Sequence, residues 1–176
     1  MGCDYSTPRV DESSETSATP KPQAFTTSDY SDLVALFKEW RTFETPPMKN
    51  DAPDYTAATF EKRWPEFQKL QHKLMSIDTA NWEVHQQVDW MVVWAEMNGY
   101  DFNYNILKPW VRDPAYYKSL WTDRSDVPAH EGPTHHGTTE IWTYEFPLDE
   151  SEKQKLLSDL KVIPSLNEQA KGNLKG

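Results

Sequence analysis

Three histidines and a carboxylate lie close together at His130, Glu131, His135 and His136, and such side chains supply nitrogen and oxygen ligands to zinc. A zinc-protease helix needs two histidines one turn apart, so that both imidazoles meet the metal from one face. Here Glu131, Gly132, Pro133 and Thr134 separate His130 from His135, and glycine beside proline disfavours a regular helix. The segment reads as a loop. Its histidines are either ligands that a loop folds around an ion or neutral, hydrogen-bonded loop residues. Lining the substrate cleft of a larger enzyme fits both. A small zinc-dependent enzyme centred on His130, His135 and His136 is the matching catalytic function.

Other chemistry is harder to place. Glu96 and Asp101 border an aromatic stripe, where a carboxylate is either an acid–base group held against tryptophans or a satisfied, helix-facing polar residue; Glu140, beside Ile141 and Trp142, has the same two readings. Glu39 and Glu44 read as helix-surface residues. The chain lacks a G-x-S-x-G nucleophile elbow, its 6 glycines form no phosphate loop, and its single cysteine, Cys3, lies in the tail; serine and cysteine hydrolases are excluded. Lys and Arg number 18 against 28 Asp and Glu, a net charge of -10. No basic stripe exists, so nucleic acid is not a partner. Trp90, Trp94, Trp110, Tyr116, Tyr117 and Trp121 could stack on a sugar or peptide, but their helical spacing points first to core packing.

Hydrophobic spacing sets the elements that carry these residues. Residues 1–27 are rich in Ser, Thr and Pro and read as a disordered tether. Within it, Met1-Gly2-Cys3-Asp4 looks like the end of a lipoprotein signal, with Cys3 lipidated; the same letters fit a myristoylation pattern. The alternative is an unmodified cysteine in a polar tail. No apolar run approaches the roughly 18 residues of a membrane span, so a membrane is reached only through a lipid at Cys3. The expected fold is all-α: about five or six helices, a long loop and one short extended segment over Thr139–Tyr144. Helix one is expected from an N-cap at Ser28 to Glu44 with Leu33, Leu36, Phe37 and Trp40 inward. Helix two runs from Tyr55 to Ile77 on Phe60, Trp64, Phe67, Leu70 and Leu74, with Pro65 kinking it or marking its start. Helix three runs from Trp82 to Asn98 or on to Leu107, with Val84, Val88, Met91, Val92 and Ala95 inward and a kink or end at Gly99. Asp113 caps a short helix to Trp121. Asp149 caps a further helix with Leu156, Leu157, Leu160 and Ile163 inward. A last helix begins at Pro164, and its Leu166, Ala170 and Leu174 imply a partner. Residues 28–176 are thus expected to be one helical lobe, truncated at its C-terminal end.

Several segments carry a resemblance. DLVALFKEWRTFE, PDYTAATF, WEVHQQVDW, AEMNGYDF, LKPWVRDPAYY, SDVPAHEGP and WTYEFPL occur in this order. From about Asp29 to Gly176 the chain resembles the N-terminal part of a family of bacterial exported proteins, domain of unknown function 885, thought to contain metallopeptidase-like enzymes. Members are longer and mostly helical, with a His-Glu helix motif further along. The resemblance implies an exported, periplasmic or lipid-anchored helical lobe on one side of a peptide-binding cleft. Its partner would be the remainder of its own polypeptide, and zinc would belong to that remainder. No catalytic or metal residue carries across, because the His-Glu motif positions are absent here. The expected function is the non-catalytic N-terminal lobe of such a hydrolase. The alternative is a stand-alone helical binding module for a peptide, a glycan or a partner subunit.

Overall fold

The computed structural model describes residues 26–123 and 137–174, and the fold is all-α with four two-residue strands among those residues. Cys3, His130, His135, His136 and nearly all of the 1–27 tether lie outside the described residues.

Three long helices build the first core. α1 spans Tyr30–Glu44, α2 Ala57–Met75 and α3 Val84–Phe102. Asp29, not Ser28, caps α1: its carboxylate accepts from Ser31 N at 2.8 Å. Ser28 is used differently, its carbonyl accepting from Trp82 Nε1 at 2.6 Å. Leu33, Leu36 and Trp40 of α1 meet Phe67, Leu70 and Leu74 of α2 and Val93 and Met97 of α3 in one buried cluster. Pro65 lies inside α2 and does not mark its start. The helix gives up one internal hydrogen bond there, and the burial of Phe60 and Phe67 on either side offsets that loss. Gly99 does not end α3, which continues through Phe102 and then widens into a π-turn over Asn103–Leu107. Lys108 closes the turn in the left-handed region, at φ 49°.

A second core forms from shorter pieces. The Pro-rich break after α1 folds into a hairpin, β1 Met48–Lys49 paired with β2 Ala52–Pro53. Asn50 and Asp51 both have positive φ, 51° and 63°, which matches the right-handed strand twist at a two-residue turn. α4 (Pro109–Arg112) and a 3-10 turn (Pro114–Tyr117) follow the π-turn. Asp113 caps that turn by accepting from Ala115 N at 2.8 Å. The turn stops at Tyr117 rather than reaching Trp121, because Leu120–Trp121 becomes β3 and pairs in parallel with β4, Thr139–Glu140. Beyond Glu140 the expected extended segment is instead a 3-10 turn over Ile141–Thr143.

α5 (Glu150–Leu160) begins with the expected cap, Asp149 and Glu152 exchanging hydrogen bonds at 2.8 and 3.0 Å. Of its inward-assigned residues, Leu157 is exposed. α6 (Val162–Asn173) lays Val162 and Leu166 against Ala52, Tyr55 and Trp110, with Ala170 and Leu174 packed alongside. The partner that its stripe requires is therefore inside the chain. Gln169, buried, fastens the contact: its Oε1 accepts from Tyr55 N at 2.7 Å and its Nε2 donates to Pro53 O at 2.9 Å.

Candidate functional site

The largest departure from the sequence reading is on α3. Val84, Val88, Met91, Val92 and Ala95 do not face inward. Val93 (4 % exposed) and Met97 (1 %) do, with Trp90 and Tyr100 packed beside them. The expected inner row is an outer row: Val84 is 77 % exposed, Met91 58 % and Val92 51 %. At about 100° per residue the row continues through Gly99 to Phe102 and Ile106, both also exposed. α3 is apolar on both faces, a composition typical of a helix covered on both sides.

The rims of this outer face are acidic. Between Trp82 and Leu107 the chain has Glu83, Asp89, Glu96 and Asp101 but no Lys or Arg. Asp89 accepts from the Tyr30 hydroxyl at 2.6 Å, and Asp101 accepts from Gln71 at 3.3 Å and Asn105 at 2.6 Å. No ion pair holds either among the described residues. Trp94, stacked on Trp90 with centroids 6.5 Å apart, stands exposed at one edge.

Among the described residues, one cluster of carboxylates resembles an acid–base arrangement. Arg41 donates to Glu44 at 2.6 Å and to Glu96 at 2.8 Å, and Trp40 Nε1 adds a hydrogen bond to Glu96 at 3.1 Å. Burial pushes the Glu44 carboxyl up, the Arg41 guanidinium pulls it back, and Glu96 pushes in the same direction as burial. With both Glu96 oxygens and one of Glu44 engaged by a cation or an indole, the cluster works as a clamp between α1 and α3. Sequence reading placed Glu44 on a helix surface and paired Glu96 with tryptophans only generally. The i, i+3 spacing of Arg41 and Glu44 was a readable signal; Glu96 had none. Glu39 pairs with Lys73 at 2.6 Å on an exposed face, and Glu140 sits in β4.

Among the described residues, two hollows lie beside these helices. A solvent-open groove between α1 and α2 carries Lys38, Lys62, Arg63 and Lys69 beside Asp54 and Glu66. Arg63 is already engaged there, over the Phe43 ring and on Thr45 O at 3.2 Å. A cavity of about 20 Å³ at the π-turn is lined by Phe60, Tyr100, Asn103, Tyr104 and Tyr116 among others, room for one water. Burial pushes the Tyr100 phenol up to about 12 and Tyr116 well above its ordinary value. Trp110, Tyr117 and Trp121 are buried, so these rings are packing residues and not a stacking platform.

No three His, Cys, Asp or Glu residues among those described are grouped to hold a metal. β3 and β4 fix where the histidine-bearing segment leaves and returns, Thr139 N donating to Ser119 O at 2.7 Å. Gly137, at φ +71°, lies where an added Cβ would meet Pro53 and Val162 at 3.0 Å, so only glycine lets the chain pass there. No helix among the described residues is long and apolar enough to cross a membrane. No family model, curated protein or solved structure matches the chain.

Proposed function

We propose that this chain is a non-catalytic helical lobe whose work is to dock, through the outer face of α3, against another stretch of polypeptide. The observation that supports this reading is the uncharged apolar row from Val84 to Ile106, most of it more than half exposed. Exposed apolar surface of this continuity marks interaction sites in soluble proteins. The resemblance to domain of unknown function 885 supplies one cover: the remainder of an exported, metallopeptidase-like hydrolase, with the zinc site and the peptide substrate in that remainder. Cys3 would tether such a protein to a membrane through a lipid. The described residues offer no ligand set for zinc, so no catalytic step is assigned to them.

A second reading has its own support. Because the α6 stripe is covered by Ala52, Tyr55 and Trp110, the chain closes its second core by itself, as a stand-alone binding module must. The test uses the purified chain. ANS fluorescence is expected to rise on binding the wild type and to fall in Val88→Asn/Phe102→Asn, with no stoichiometric zinc and no hydrolysis of a casein substrate. Zinc-dependent casein cleavage by the chain alone would overturn the proposal. A monomer that melts in one sharp transition favours the stand-alone module over the lobe.

A further inference from the structure

We infer that the occupant of the α3 outer face is a basic amphipathic helix. The inference rests on the reading of that face as a docking surface and adds the chemistry of what fills it.

Shape comes first. α3 and the π-turn extend on the order of 35 Å, with Val84, Val88, Met91, Val92, Phe102 and Ile106 exposed along one side. Between Val92 and Phe102 the row drops to Ala95 and Gly99, and a Cβ added at Gly99 meets nothing within 4 Å. That dip lets a second helix approach closely, and unbranched Met91 can adapt to whatever side chain enters. A row read at i, i+4 and i+7 is how a helix-in-groove partner is recognised.

Charge then selects among occupants. Glu83, Asp89 and Asp101 flank the row, and Lys and Arg are absent from Trp82 to Leu107. Two cations stand at the far end of the row, exposed Lys108 after Leu107 and Arg112, which donates to Ile106 O at 2.8 Å. Along the rest of it Arg41, beside Glu96, is already shared by Glu44 and Glu96. A second copy would set acidic rims of two chains, each with a net charge of -10, against one another, which is a repulsive arrangement. An anionic membrane surface is repelled likewise, since interfacial helices carry Lys and Arg beside the apolar face. The first 25 residues lack apolar side chains at i, i+3, i+4 and i+7, so they cannot supply the covering helix. A helix with an apolar stripe edged by Lys or Arg satisfies both the row and its rims.

Isothermal titration with two synthetic peptides tests this. Both are about eighteen residues long, with leucines on one face; one carries lysines on the other face and its counterpart carries glutamates. The Leu/Lys peptide is expected to bind the full chain one-to-one, about tenfold or more tighter than the Leu/Glu peptide. Binding is expected to weaken at least about tenfold in Val88→Asn/Phe102→Asn, whose far-ultraviolet circular dichroism stays unchanged because both residues are exposed. Equal binding of the two peptides overturns the basic character and leaves the docking face standing. Leu/Lys binding that ignores the double substitution overturns the inference, since the peptide is then held by acidic surface in general. A wild-type dimer in sedimentation that the substitution abolishes makes the occupant a second copy. A monomer that binds neither peptide and no ANS overturns the docking face itself.

Discussion

α3 and α6 are both short of charge on an apolar stripe, yet the chain treats them differently. The α6 stripe, Val162 and Leu166 with Ala170 and Leu174, is packed on the hairpin and α4. α3 has two stripes: Val93 and Met97 are packed on α1 and α2, while the row from Val84 to Ile106 faces out. An apolar period thus states that a helix wants a cover, not which element provides it. Where one stripe exists, the fold covers it. Where two exist, one is buried and the other stays exposed.

Substitutions along these stripes can break or sharpen the contrast. The largest effect is expected at Phe67, fully buried between Trp40 and Tyr100: Phe67→Ala should cost about 3–5 kcal/mol in urea unfolding. Leu166→Ala, in the second core, should cost about 2–5 kcal/mol; a loss under about 1 kcal/mol would mean that α6 is not truly covered. A pH titration comes next. The folded-state pKa of Tyr100 is raised by burial, from 10.0 to about 12. Its contribution to stability is therefore complete below about pH 10 and lost as the pH rises towards 12. Absorbance at 295 nm should show phenols that ionise only as the protein unfolds, and Tyr100→Phe should lessen the alkaline loss. Removing the α5 cap with Asp149→Ala should cost about 1 kcal/mol, read as a shift in the melting midpoint. The smallest effect is expected on the outer row: Val88→Asn should change stability by less than about 0.5 kcal/mol. A loss of several kcal/mol there would show that the row is covered in the isolated chain.

Much of the fold was legible. Leu33, Leu36 and Trp40, and Phe60, Phe67, Leu70 and Leu74, each lie on one face of an otherwise polar helix, so period and burial agree. Asp113 and Asp149 were readable as caps because a carboxylate that accepts from the first free N–H groups acts locally. α3 misled for a physical reason. Its outer row of Val84, Val88, Met91 and Val92 is more uniformly aliphatic than the inner one, which mixes Trp90, Val93, Met97 and Tyr100. The hairpin was not legible, since two residues with positive φ turn a Pro-rich break into paired strands. Nor was the clamp, since Glu96 reaches Arg41 from 55 positions away.

The sequence by itself determined the all-α class, the long helices and the Asp113 and Asp149 caps, because these depend on residues within a few positions of one another. Tertiary structure alone decided which of the two α3 faces is buried, where the α6 stripe finds its cover, and that Arg41 binds two carboxylates. Those outcomes depend on which helices meet across tens of residues, and an apolar period does not say which face is buried in a helix that is apolar on two faces.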